Sequence, residues 1–525
     1  MRSLSRAEPA TNNHDRAGEC NTRICPVKLA YNSLYSLLGM AVPVLVSLAT
    51  VPLFIAQIGA ERYGALAIAW LVLGYFGAAD FGIGRAITHR IAELGSDNRV
   101  AKADAVYSAL LSIAGFGCIT AVVLFVFAQW YFAGPFKVDD GLRPEIVRAV
   151  WVLALCSPAV AINGVLAGAI MGLERFRLVA VSNTISNSGL LLLPLAVAYF
   201  IRVDLTLLIA AALVARLVGS VILGAGVWHA FLKGHPITFS RDEFASLAKF
   251  GAWIMVSALL GPVMVFADRL LIGVLIDAAA VAAYAIPMLV AARTMLIPTA
   301  ISQALFPRFA AEGEESSRMR CGQFSAFIGQ IFAPIIILLV CLAEPLLSVW
   351  LGGALDPRSV LIGQIILLGY WTNAIAIVPF AFLQARGQTR YTAMLHVAEL
   401  PFYLALLWLL GIQFGLAGFA LTFSIRTTIE CAILLRKAAL CKTAVIIPLV
   451  PPAILIALAT LAGLLLTDVA ILVVIALVLS GAAILVSVVM MPQALRPGFA
   501  RIGWIVAPGA LKIRLAGFMK NRGGS

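Results

Sequence analysis

From Leu29 to Met491, apolar stretches long enough to cross a bilayer follow one another, separated by short polar breaks rich in Gly, Pro, Lys and Arg. A helix needs about 20 apolar residues to span the hydrocarbon core. Cutting the chain at its breaks predicts fourteen spans, at 29–56, 63–84, 105–134, 146–171, 178–201, 204–231, 247–275, 279–306, 324–351, 359–385, 391–413, 414–438, 444–467 and 468–491. The tightest joins fall near residues 202, 277, 413 and 467. This is the pattern of an all-α polytopic membrane protein with about 14 transmembrane helices.

Lys and Arg test the cutting independently, because they accumulate on cytoplasmic loops and a wrong span count would scramble their alternation. Of the 38 basic residues, 28 fall on the N-terminal arm, the even-numbered loops and the C-terminal tail, and 6 on the odd-numbered loops, counting those at a span's edge with its loop. Both termini are therefore expected in the cytoplasm. Residues 1–28 are polar and lack the apolar core of a signal peptide, so they read as a disordered cytoplasmic arm, and 492–525 as a basic cytoplasmic tail. No outward loop exceeds about a dozen residues on this cutting. That leaves no room for an external catalytic domain. There is also no cluster of acid/base residues and no G-x-x-x-x-G-K-[ST] nucleotide loop, so no enzyme activity is expected.

Composition excludes a water-soluble fold. Hydrophobic residues make up 62% of the 525 and charged residues 12%, against about 25% in soluble domains. The net charge of +13 is spread singly over short loops and reads as topology, with no nucleic-acid partner. Eight cysteines, Cys20, Cys25, Cys118, Cys156, Cys321, Cys341, Cys431 and Cys441, show no C-x-x-C spacing and fit small apolar fillers or reduced thiols. His14, Cys20 and Cys25 lack a fourth ligand, so no metal site is expected.

Ile58-Gly59-Ala60-Glu61-Arg62-Tyr63-Gly64, joining spans 1 and 2, resembles the join of spans 7 and 8 at Ile276-Asp277 to Tyr284. A lag of about six helices points to a parallel repeat with a substrate site between its halves. Further motifs are Asn32 with Pro43 and Pro52, Ala79-Asp80-Phe81-Gly82-Ile83-Gly84-Arg85, Gly172-Leu173-Glu174-Arg175-Phe176, Ala267-Asp268-Arg269, Phe306-Pro307 and Gln384-Ala385-Arg386-Gly387-Gln388. Over about residues 29–440 the chain resembles the oligosaccharide flippase (Wzx-like) branch of the multidrug/oligosaccharidyl-lipid/polysaccharide transporter superfamily. The resemblance implies two six-helix lobes, 29–231 and 247–438, joined by a cytoplasmic linker 232–246 and enclosing a central cavity, with helices 13 and 14 (444–491) at the periphery. It implies alternating access and, as substrate, an undecaprenyl-pyrophosphate-linked oligosaccharide flipped to the outer leaflet for polysaccharide or lipopolysaccharide assembly. Expected partners are that lipid-linked oligosaccharide, membrane lipids, and a polysaccharide polymerase and export complex. No cofactor is expected, beyond a coupling H+ or Na+. The alternatives are a cation-coupled drug or metabolite antiporter of the same fold and a membrane-bound polysaccharide polymerase.

A sugar-pyrophosphate headgroup needs a polar, cation-bearing cavity, and charges at the bilayer centre are costly enough to mark it. Arg216, Arg293 and Arg426 fall at or near the centres of spans 6, 8 and 12. Arg426 has Glu430 at i+4, the spacing of a helical ion pair. Arg216 and Arg293 have no acid within four positions on their own helices, so another helix or a ligand must face them, and Arg suits bidentate phosphate contact. Candidate cavity residues are therefore Arg216, Arg293, Arg269 and Asp268. Asp268 and Arg269 are adjacent, about 100° apart around a helix, and are not expected to form a self-contained pair. Asp268 and Glu399 read either as ion- or proton-coupling sites or as buried partners of an Arg elsewhere. Asp80 and Arg85, beside glycines at the cytoplasmic end of span 2, are candidates for a gate.

Overall fold

A computed structural model describes residues 26–78, 83–94, 98–245, 264, 266–440 and 442–491. The helices are α1 (Pro26–Ile58), α2 (Ala60–Ala78), α3 (Ile83–Glu93), α4 (Arg99–Ala133), α5 (Arg143–Met171), α6 (Phe176–Phe200), α7 (Leu205–Val227) and α8, described over 266–275. There follow α9 (Ala278–Thr294), α10 (Leu296–Ala311), α11 (Glu314–Cys341), α12 (Ala343–Leu351), α13 (Arg358–Ala385), α14 (Thr389–Phe414), α15 (Leu416–Lys437), α16 (Lys442–Leu465) and α17 (Val469–Val489). Among the described residues twelve helical segments are long and apolar enough to cross a bilayer. α2 and α8 stand where the second and seventh expected spans fall. The protein is a multi-pass membrane protein.

The helices pack in two groups. In the first, α4 packs on α5, α5 on α7, α7 on α6 and α6 on α1. In the second, α13 is the hub, touching α9, α10, α11 and α15, while α14 packs on α15, and α16 and α17 lean on α11. Small residues allow the closest approaches, as in membrane helix pairs generally. A Cβ at Gly219 of α7 would lie 2.7 Å from the Ser186 Cβ of α6. Outward faces carry exposed aliphatics such as Leu458, Leu461, Val474 and Leu477 on α16 and α17, which suit acyl chains and not water.

Contacts between the groups gather at the end that carries the α1–α2 turn. There α2 crosses α9 so tightly that a Cβ on Gly64 would collide with the Ala278 carbonyl oxygen. The Tyr131 hydroxyl donates to the Leu270 carbonyl at 2.8 Å, and the backbones of Lys137, Gly273 and Ala278 exchange hydrogen bonds. Trp350 Nε1 donates to the Leu48 carbonyl at 2.7 Å. At the opposite end the segment after α7 is tied to the first group instead. Arg90 of α3 holds Glu243 at 2.6 Å, Thr238 bonds Asp104, and the Ser240 N–H donates to Ser108.

Several expected spans need correction. The second is described as helix to Ala78 (α2) and again over Ile83–Glu93 (α3), and residues 79–82 between them lie outside the described residues. α3 buries Ile83, Ala86, Ile87 and Ile91 and leaves Arg85 exposed, an amphipathic pattern that continuous hydropathy hides. The eighth is interrupted at Met295 between α9 and α10, one residue beyond the last turn that carries Arg293. The ninth begins ten residues early, at Glu314, and is interrupted at Leu342. A π turn at Trp228–Leu232 ends the sixth. The tight join near 413 is real: Gly415, with φ of 56°, turns α14 into α15 in a conformation that favours glycine. The expected arm lies outside the described residues up to Cys25, and the expected tail lies outside them entirely.

Candidate functional site

Two cavities meet between the helix groups. One, of about 730 Å³, is lined mainly by α1, α2, α6, α9 and α10 and includes Ser47, Asn183, Asn187, Trp70 and Arg293. The other, of about 580 Å³, is lined on the second group's side by Asp268, Arg269, Tyr370, His396, Arg426 and Glu430. Tyr63, Trp70, Leu289 and Arg293 line both. Arg293 therefore stands at the junction. Among the described residues it makes no ion pair, and its Nε has no hydrogen-bond partner. It sits in the last turn of α9, just before the break at Met295.

In the second cavity the charges are neutralised locally. Arg426 Nη1 lies 2.9 Å from Glu430 and 3.6 Å from Glu399, and its guanidinium stacks 5.6 Å from the Tyr403 ring centre. His396 Nε2 lies 3.3 Å from the other Glu430 oxygen. Ligand atoms of His396, Glu399 and Glu430 come within 4.8 Å of one another, close enough for a cation. Arg426 already supplies a positive charge against both carboxylates. The Asp268–Arg269 expectation is corrected: Arg269 Nη1 curls back to Asp268 Oδ1 at 3.3 Å, while its own backbone N–H donates to that oxygen at 2.7 Å. The long arginine side chain spans the angular offset that Cβ positions alone suggest. Its guanidinium also faces the Tyr284 ring at 5.8 Å.

Arg216 stands elsewhere than expected. It does not line either cavity. It sits behind Asn187, whose Oδ1 accepts from Nη1 at 2.9 Å, and its Nε is buried without a partner. Its counterpart is a neutral amide. Asp80 lies outside the described residues, and Arg85 is exposed on α3 with no ion pair among them. The structure therefore brings together Arg293, Asp268, Arg269, Arg426 and Glu430, with Glu399 behind, and leaves Arg216 and Arg85 apart. Sequence reasoning missed Asn183, Asn187, Trp70 and His396 because it followed formal charge. One signal was present: Ser182, Asn183, Thr184, Ser186, Asn187 and Ser188 crowd the middle of an otherwise apolar span.

This fold and cavity define a membrane transporter, and comparison with known proteins gives the same class. The family described as polysaccharide biosynthesis protein matches residues 29–311, more than half of the chain, and the chain belongs to it. A Shigella flexneri protein named as an O-antigen transporter is 29% identical over 404 residues, covering 77% of this chain and 96% of that protein. Among solved structures, the lipid II flippase MurJ in an inward closed conformation superimposes with a TM-score of 0.70 at 14% identity, covering 89% of this chain and 99% of MurJ. An inward-facing multidrug resistance MATE family transporter gives 0.60 at 13% identity, covering 81% and 98%. The fold is that of the MOP superfamily.

Proposed function

We propose that the chain is a flippase that moves an undecaprenyl-pyrophosphate-linked oligosaccharide from the cytoplasmic to the outer leaflet of a bacterial inner membrane, by alternating access between two lobes. The observation that carries this reading is Arg293, a guanidinium without an ion pair among the described residues, at the junction of two membrane-embedded chambers. A pyrophosphate supplies the missing counter-charge, and a planar fork grips two of its oxygens. A cationic drug fits less well beside Arg293, which lines both chambers and has no ion pair among the described residues. The relation to a protein named for O-antigen transport supports the same substrate class.

On this reading the tight Gly64–Ala278 end is extracytoplasmic and closed, and substrate enters from the opposite end. Both termini are cytoplasmic. Reporter fusions after Arg241, Arg320 and Arg390 then report cytoplasm, and those after Asp139 and Asp356 report the outside. A coupling H+ would act at His396, Glu399 and Glu430, whose ligand atoms lie within 4.8 Å of one another. Deletion of the gene in the native host is the direct test. Lipid-linked oligosaccharide accumulating on the cytoplasmic leaflet, with loss of surface polysaccharide, is expected; an unchanged pool and unchanged surface polysaccharide overturn the reading.

A further inference from the structure

Arg216 and Asn187 form a charge-assisted hydrogen bond between α7 and α6, Nη1 donating to Oδ1 at 2.9 Å. A guanidinium has donors only. The amide oxygen is therefore committed to α7, and the NH2 group is the end of Asn187 left for the 730 Å³ chamber that this residue lines. That NH2 has no hydrogen-bond partner among the described residues. The bond from an unneutralised guanidinium polarises the amide and makes its free end a stronger donor. Asn183 lies four residues earlier on the same helical face, is exposed, and lines the same chamber. Across it stands Trp70, held edge-on by Phe54 at 5.2 Å and Tyr63 at 6.1 Å between ring centres.

A fixed donor at Asn187, a second amide at Asn183 and a rigid indole suit a ligand with acceptor oxygens around its rim and an apolar face, which describes a pyranose. We infer that the 730 Å³ chamber is the sugar subsite, in which Asn187 and Asn183 donate to hydroxyl or carbonyl oxygens of the sugar next to the pyrophosphate. Trp70 carries the apolar face of that sugar. Arg216 is a positioning residue: it turns the Asn187 amide and does not touch the ligand. This assignment rests on the flippase reading and adds to it a division of labour, with the pyrophosphate at Arg293 and the first sugar at Asn187.

Asn187→Asp separates the subsite from a merely structural pair. The carboxylate keeps the shape and still accepts from Arg216, now as an ion pair, so a structural role predicts unchanged or improved stability and no change in binding. A subsite loses its donor. Purified full-length protein in nanodiscs is titrated with two probes: the lipid-linked oligosaccharide extracted from a native host lacking this gene, and sugar-free undecaprenyl pyrophosphate. Wild type is expected to bind the sugar-bearing lipid more tightly. Asn187→Asp is expected to weaken that lipid by about tenfold, the loss of one well-made hydrogen bond, and to leave the sugar-free lipid unchanged. Asn183→Asp, away from Arg216, is the second variant and loses the same preference whether or not the first inserts normally. Wild-type preference retained in both variants, or absent from wild type, overturns the subsite while Arg293 still binds the pyrophosphate. Failure of wild type to bind either probe overturns the subsite together with the flippase reading.

Discussion

The Arg426 guanidinium lies 2.9 Å from the Glu430 carboxylate one turn along α15, and both face the second chamber. Glu399, 3.6 Å away on α14, has neither carboxylate oxygen hydrogen-bonded. Arg426 is thus the cation that lets two acids sit in one low-dielectric site.

Removing one member of a buried pair costs about 3–5 kcal/mol because the other charge is stranded. Arg426→Ala is therefore expected to lower the yield of folded protein in the membrane sharply. The exchange Arg426→Glu with Glu430→Arg restores charge balance and should recover yield. Surface polysaccharide normalised to inserted protein then separates the roles: recovered export marks the pair as structural, and recovered yield without export marks it as part of the transport cycle. Normal yield in Arg426→Ala would contradict the buried pairing itself.

The i+4 spacing of Arg426 and Glu430 was legible in the sequence because a helical ion pair is a local relation. So was the membrane fold, since backbone groups in hydrocarbon must be satisfied within helices and long apolar stretches leave little choice. The Asp268–Arg269 contact was misread because helical spacing describes Cβ directions and an arginine reaches far beyond its Cβ. Glu399, His396 and Asn187 acquire meaning only from which helices pack together, and that is decided by shape at small residues such as Gly219 and Ser186. Hydropathy carries none of this. The break at Met295 left a different signal: Pro298, three residues on, has no N–H to donate to the Thr294 carbonyl.

Gly64 is expected to set how closely the α1–α2 end can shut. A methyl group there meets the Ala278 carbonyl oxygen, part of the backbone, and only separation of α2 from α9 relieves the collision. Overpacking of this kind costs about 1–3 kcal/mol. In a background without native cysteines, Gly64→Ala should raise the labelling of a cysteine placed at Ala282, now 2% exposed, by a membrane-impermeant maleimide severalfold. Unchanged labelling would show that this crossing does not govern access.

Arg90 and Glu243 predict the state of the segment that links the helix groups. Two hydrogen bonds join them, at 2.6 and 3.1 Å, and Glu243 is mostly covered. Charge-assisted bonds contribute about 1.5–3 kcal/mol each at best, less here because Arg90 is partly exposed and solvent screens it. Glu243→Gln keeps the shape and weakens the bond. It is expected to speed trypsin cleavage after Lys233 and Arg241 in detergent-solubilised protein, with helix content unchanged. Equal cleavage rates would mean that the Thr238–Asp104 and Ser240–Ser108 contacts hold the segment without Arg90.

Arg293 gives the sharpest test of the phosphate reading. A structural salt bridge predicts that Lys substitutes well and that Ala lowers the amount of inserted protein, because a buried carboxylate is stranded. Among the described residues no carboxylate pairs with Arg293, so the Ala variant strands nothing and should insert at near-normal levels. A phosphate-binding role predicts impaired function in both variants, since Lys keeps the charge but loses the planar fork. Loss of about two charge-assisted hydrogen bonds in Arg293→Ala corresponds to roughly 3 kcal/mol, or about a hundredfold in affinity for undecaprenyl pyrophosphate. Arg293→Lys should fall between Ala and wild type. The measurements are binding of that lipid to purified protein and surface polysaccharide per inserted molecule. Near-normal values for both variants would remove Arg293 as the pyrophosphate ligand. The role would then fall to Arg269 or Arg426, the other guanidiniums lining the second chamber, each already bound to a carboxylate that the substrate would have to displace.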